Sequence, residues 1–238
     1  MLGKNWKGNN VKLDIEFDRG HDLSGIEIGL LVLRGLKWPL GSENSSFFSE
    51  LDTYQHTTLE KIGSDANGYL EARKRAVRSM LRYGVYKPAG RGKPSNEYLL
   101  QAALEGNFPS VNPFVDAVNA ASLRAMYPMS VFDADKAGKN LLVRRGYESE
   151  SYVFNSGGQS IELRDLLCIC RLVDETYSPC VNPVRDSMAT KLFPGANNAI
   201  IAIYSPRGPE SADLEPVCSD LRALLAPLAS SIDSGILP

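Results

Sequence analysis

PSVNPFVDAVNAASLRAMYPMSVFDADKAG, residues Pro109–Gly138, is the stretch that decides how this chain folds. Asn112 followed by Pro113 reads as a helix start. The Asn side chain can accept from an orphan backbone N–H, and proline's fixed φ suits the first helical position. Pro128 disfavours helical geometry at Tyr127, so the spacing predicts a helix over 112–126. At about 100° per residue, Phe114, Val115, Val118, Ala121, Ala125 and Met126 share one broad arc, and Ala117, Ala120 and Leu123 fill much of the other side. A helix apolar nearly all round is buried, which places it across the middle of the domain. Its polar residues therefore carry information. Ser122 falls inside the apolar arc, Asn119 at its edge and Asp116 on its flank. Buried amides and carboxylates destabilise a fold unless they are bonded. Either these groups tie loops to the core or they line a ligand pocket.

On the N-terminal side, Ser95 after Pro94 can cap a short helix, Asn96–Glu105. Before it lies a basic segment. Arg73, Lys74, Arg75, Arg78, Arg82, Lys87, Arg91 and Lys93 occur with no acid among them, on a chain of net charge −2, so the remainder carries −10. Tyr69–Tyr83 reads as a helix with Leu70, Val77, Met80 and Leu81 inward and Arg75, Arg78 and Arg82 outward; Gly84 ends it. The run is either a solvated helix face or a surface that tracks phosphates, with Tyr83 and Tyr86 able to stack on bases. Further back, Val11–Phe17 alternates as a half-buried strand, and Ile26–Leu36 reads as a more buried one. Together they form an N-terminal hairpin. Ser42–Ile62 is expected to be helical, with Phe47, Phe48, Leu51, Leu59 and Ile62 as core positions.

On the C-terminal side the texture turns to short strands: Asn140–Arg145, Ser151–Phe154, Ile161–Leu167, Leu167–Val173 and Ala199–Tyr204. Ser211–Ile232 reads as a closing amphipathic helix despite Pro216 and Pro227. The second polar constellation, NPVRDSMATKL at Asn182–Leu192, crowds donors and acceptors just before the last of those strands. An Arg185–Asp186 pair that holds a loop explains it, and so does an arginine positioned for a carboxylate or phosphate.

Composition narrows the class. The chain has 238 residues, 43% hydrophobic and 23% charged, and no apolar run long enough to span a bilayer. The N-terminal residues hold no apolar signal region, so the expected compartment is the cytoplasm. Cys168 and Cys170 share a strand face and read, with Cys180 and Cys218, as small buried hydrophobes. His21 and His56 offer neither a zinc set nor a triad base. GxSxG, phosphate-loop, GxGxxG and HExxH signatures are absent. Nothing calls for a metal or a cofactor, and the oligomeric state stays open.

PSNEYLLQAALEGNFPSVNPFVDAVNAASLRAMYPMSVFDADKAG resembles the B3/B4 editing domain of the bacterial phenylalanyl-tRNA synthetase beta subunit, above all its free-standing B3/B4 relatives. The Ser95 segment, the block Ser110–Leu123, Pro128 and the Asp133–Gly138 turn carry the likeness. RDSMATK at Arg185–Lys191 matches the second block, and Arg73–Arg82 sits where free-standing members carry a basic helix. The resemblance implies an α+β fold, a layered β-sandwich with helices on one side and the buried helix 112–126 at its centre, in a single domain over residues 1–238. It implies binding to the acceptor end of tRNA and hydrolysis in trans of a mischarged aminoacyl ester, without aminoacylation. The family's pocket is associated with a histidine and a glutamate, and neither matching block contains a histidine. Candidate pocket residues are Asn112, Asp116, Asn119, Ser122, Arg185, Asp186 and Thr190. The candidate RNA face is Arg75, Arg78, Arg82, Lys87, Arg91 and Lys93. The alternatives are a non-catalytic module that holds RNA or a free amino acid, and a protein-interaction role.

Overall fold

The computed structural model describes residues 4–7, 12–18, 20–39, 45–65, 68–208 and 214–237. In chain order these form β1 (Lys4–Lys7), β2 (Lys12–Phe17), β3 (Ile26–Leu36), α1 (Ser45–Gly63), α2 (Tyr69–Leu81), α3 (Ser95–Leu104) and α4 (Pro113–Ala125). There follow β4 (Met129–Asp133), α5 (Ala134–Ala137), β5 (Asn140–Arg145), β6 (Ser151–Val153), β7 (Ser160–Glu162), β8 (Leu167–Val173), β9 (Thr176–Val181), β10 (Asn198–Pro206), α6 (Leu214–Leu225) and β11 (Ala229–Leu237).

The fold is α+β and layered. One sheet runs β11-β3-β10-β4, all antiparallel; the other runs β1-β2-β5-β8-β9, with β2 and β5 its parallel pair. β3 and β10 form the middle of the four-stranded sheet and are buried on both faces, which explains their unbroken apolar sequences. One face meets the helices. A Cβ at Gly29 would stand 2.9 Å from Leu214 Cδ1 and 3.0 Å from Cys218 Sγ, so the missing side chain lets α6 seat against β3. The other face meets the second sheet, where Leu13 of β2 borders the same hollow as Val32 and Ile200. A single large cluster of buried apolar side chains runs through all the layers.

Helix α4 is the buried centre the sequence predicts. Asn112 caps it, accepting from Val115 N at 3.0 Å. Ala117, Val118 and the whole run Ala120–Leu123 are buried. Its far end closes on Met126, a non-glycine residue at φ 54, a conformation that costs about 1–2 kcal/mol. Two buried bonds hold that end: Asn96 Nδ2 donates to Met126 O at 2.9 Å, and Ser122 Oγ donates to Tyr127 O at 2.6 Å.

Several expectations are corrected. β2 and β3 do not pair as a hairpin; they enter different sheets. Val11 and residues 42–44 lie outside the described residues. Phe48 and Leu59 of α1 are 42% and 41% exposed, while Phe47 and Leu51 are buried. Ser95 does not cap α3 but is its first residue, with no side-chain cap bond at that end. The C-terminal helix stops at Leu225, and Pro227 falls in a single 3-10 turn, after which the chain runs out as β11 beside β3. β4 and β9 were not foreseen.

Candidate functional site

A cavity of about 540 Å³ opens beside the N-terminal half of α4. Asn112, Val115, Val118 and Asn119 form one wall, and Met129 and Val131 of β4 form the floor. The loop from Val184 to Pro194 faces them, Phe154 and Asn155 of the β6–β7 turn close one side, and Ser95 at the start of α3 closes another. The two sequence blocks singled out above thus meet across one hollow. Its size suits a small organic ligand, as does a mainly apolar lining with a few convergent polar groups. The positive end of the α4 dipole also opens on it.

The loop is shaped by one amide. Asn182 Oδ1 accepts from Val184 N and Arg185 N, both at 2.8 Å; its Nδ2 donates to Tyr152 Oη, which in turn donates to Arg185 O. This turn leaves the Arg185 and Asp186 side chains at the cavity. The Arg185 guanidinium lies 4.4 Å from the centre of the Tyr98 ring and 5.4 Å from that of Phe154. No carboxylate pairs with it among the described residues. The two rings hold the cation in place without neutralising it.

Asp186 is the most perturbed acid at the cavity. Burial pushes its carboxyl up to about 7, against the pull of the Ser130 hydroxyl, the Lys191 ammonium and the Val131 and Asn182 N–H groups. Its Oδ1 is buried without a hydrogen-bond partner in the protein, while Ser130 Oγ also lies 3.3 Å from Asn182 O and 3.1 Å from Tyr204 Oη. Ser95 Oγ, lining the same cavity, is likewise buried and unpartnered. Asn119 lines it with no hydrogen bond to its amide among the described residues. A carboxyl that titrates near neutrality can hold and deprotonate a water, and a nearby free guanidinium can meet negative charge.

The other proposed pocket residues are placed elsewhere. Asp116 accepts from Ser110 Oγ at 2.9 Å and Val111 N at 2.7 Å, pinning the loop that enters α4. Ser122 is bonded to Tyr127 O, and Thr190 Oγ1 donates to Cys180 O at 3.3 Å. None of the three lines the cavity, and each is tied to its own chain. Asn112 does line it, but its amide is the α4 cap and also donates to Leu192 O at 3.4 Å. Sequence reasoning missed Ser95 as a pocket group, along with Tyr98, Phe154 and Lys191; Ser95 and Tyr98 lie in the PSNEYLL block and Lys191 in RDSMATK, whereas Phe154 carried no visible signal.

The basic segment divides in two. Arg73 is buried against the Tyr127 and Tyr69 rings, and Arg78 makes a two-pronged pair with buried Glu97, both N–O distances 2.6 Å. The expectation that Arg78 projects freely is therefore corrected: Glu97, just beyond the run, takes its charge. Arg75, Arg82, Lys87 and Arg91 are exposed. Lys93 lies 4.2 Å over the Tyr98 ring, and Tyr98 Oη donates to Gly90 O and Arg91 O. One aromatic ring therefore links the basic loop at residues 90–93 to Arg185 at the cavity.

The layered sheets and this hollow define an α+β fold built around a buried helix with a cavity beside it. The chain belongs to the B3/4 domain family, whose model matches residues 63–208, more than half its length. That assignment supports a module of the tRNA-binding or editing type. No curated protein matches the chain. Among the described residues no helix is long and apolar enough to cross a membrane.

Proposed function

We propose that this protein binds the acceptor end of tRNA and hydrolyses a mischarged aminoacyl ester in trans. The observation that carries the reading is the pair of buried oxygens without a protein partner, Asp186 Oδ1 and Ser95 Oγ, on residues lining one cavity beside an Arg185 that no acid pairs. Unpaired buried polar atoms cost about 1–3 kcal/mol each, a cost that a bound guest removes. The basic loop against Tyr98 gives the phosphates of a terminal strand a place to rest while the ester enters the hollow.

In this mechanism the aminoacyl side chain lies against Val115, Val118 and Met129. Asp186 holds a water and takes one of its protons as the oxygen attacks the ester carbonyl. Arg185 and the Asn119 amide donate to the developing oxyanion. The C–O bond to the ribose breaks, the ribose oxygen takes the proton, and a free amino acid and an uncharged tRNA leave. An ester needs little activation beyond this positioning, so no histidine base is required. A second hydrolytic site is useful where one pocket cannot reject a near-isosteric amino acid.

Incubating the protein with a panel of correctly charged and mischarged tRNAs tests the reading. Turnover of a mischarged species that is abolished or nearly so in Asp186→Asn and reduced about tenfold in Asn119→Ala supports it. Salt-sensitive tRNA binding with no release of amino acid favours the second reading, a holding module. That reading has its own support, since an unpaired Arg185 also fits the carboxylate of a free amino acid.

A further inference from the structure

A second hollow, about 390 Å³, lies at the C-terminal end of α2 and shares no lining residue with the first. Three guanidinium groups border it, from Arg82, Arg145 and Arg207, and Asp22 is the one carboxylate in its lining. Arg82 is exposed and has no ion pair among the described residues. Arg207 has a loose contact with Glu27 at 3.6 Å and donates to Ile26 O at 3.4 Å.

Arg145 is different. It is only 2% exposed, lies 4.8 Å from the Tyr83 ring centre, and donates to Leu81 O at 3.2 Å and Met80 O at 3.3 Å. Those carbonyls end α2, so the cation answers the negative end of the helix. Its Nε is nevertheless buried with no partner. Asp22 accepts from Ser24 N and Ser24 Oγ, at 3.1 and 2.7 Å, and its charge acts on Arg145, so Asp22 and Glu27 are two carboxylates set against three cations.

Three guanidinium groups against two carboxylates leave net positive charge around a concave space large enough for more than a single ion. We propose that this hollow is a phosphate-binding site, taking either a free phosphate-bearing small molecule or a phosphodiester of a nucleic-acid strand. Arg82 and Arg207 grip the oxygens from the rim, where planar forks suit a phosphate. Arg145 supplies a fixed positive floor, and Tyr83 with Ile26 offers an apolar wall for the attached sugar. The site does not depend on the deacylation reading.

The test follows the arginine Nε–H resonances by NMR while inorganic phosphate, adenosine monophosphate or uncharged tRNA is added at constant ionic strength. Saturable shifts of Arg82 and Arg207 with any of the three bear the proposal out when Arg207's is lost in Arg82→Gln and Arg82's in Arg207→Gln, and both are kept on changing Lys37, an exposed lysine outside the hollow, to Gln. Tighter binding of the mononucleotide than of tRNA identifies a free ligand, and the reverse order identifies a strand. Shifts that fail to saturate, or that chloride reproduces, overturn it. Both substitutions are at exposed positions and leave the Arg145 cap intact, so binding lost in them is not lost through unfolding; an unsubstituted protein that ignores all three probes contradicts the proposal directly.

Discussion

Helix α4 and the loop at residues 182–194 face each other across the same cavity, yet they treat their polar atoms in opposite ways. On α4, Asn112 caps, Asp116 pins a loop, and Ser122 locks the C-terminal turn. On the loop and its neighbour α3, Asp186 Oδ1 and Ser95 Oγ are buried without a protein partner, and Arg185 has rings for company but no acid. The first region uses polarity to fix a fold, where each bond stabilises it. The second leaves polarity open, at a cost in stability that a bound ligand relieves. The same contrast divides the basic segment, where Arg78 is a structural partner of Glu97 and Arg75, Arg82, Lys87 and Arg91 stay free.

Asp186→Asn probes this contrast most strongly. In the proposed mechanism Asp186 is the water-holding base, so its loss is expected to lower deacylation by about 100-fold or more. The same substitution stabilises the protein. The Asp186 carboxyl keeps its proton to about pH 7 in the fold, whereas the unfolded chain releases it near the ordinary 3.8. Between those values the unfolded state binds fewer protons, so its contribution to stability falls as pH rises from about 4 to 7 and levels off above. Asp186→Asn removes that decline and gains on the order of 2–4 kcal/mol at pH 8, read from urea midpoints at pH 5 and pH 8.

Arg78→Gln comes next, in the opposite sense. It strands the buried Glu97 and destabilises by about 3–5 kcal/mol, while Arg75→Gln changes stability by less than about 0.5 kcal/mol. Denaturant melts of the two side by side test whether the basic run is divided as described. Ser122→Ala leaves Tyr127 O unpaired and costs about 1–3 kcal/mol with no change in KM for the ester; Asn119→Ala loses activity about tenfold at unchanged stability, since no internal bond is removed. The smallest effect is on the RNA side. Reversing Arg75 and Arg91 together weakens tRNA binding by a few-fold and flattens its salt dependence by about two phosphate contacts.

How much of this was legible in the sequence follows from which signals are local. The α4 start, its buried face and the strand Ile26–Leu36 were readable because a cap, a proline and an unbroken apolar run act within one element. β4, MSVFD, was missed because a five-residue buried strand has no alternation to display. β11 was missed because Ser230, Ser231, Asp233 and Ser234 do not look like a sheet strand, and Leu221 to Leu228 carried the helical pattern past Pro227. At the site, residue type identified Asn119, Arg185 and Asp186 as polar groups worth explaining. It could not say which polar groups find partners, since Ser122 meets Tyr127 O through a chain reversal and Arg78 meets Glu97 across two helices. Ser95 reads as a cap because Ser after Pro usually is one; that its hydroxyl ends beside a cavity without a protein partner depends on a loop 90 residues away.

The most direct measurement is a ¹³C NMR titration of the Asp186 carboxyl, alone and saturated with an adenosine that carries an amide-linked, non-hydrolysable aminoacyl group at its 3′ position. The carboxyl is predicted to titrate near 7 in the free protein and to move clearly downward when the cationic amino acid fills the cavity. A carboxyl that titrates in the ordinary range without ligand, or one that does not respond to it, would contradict the claim that this cavity's unmatched atoms are there for a guest.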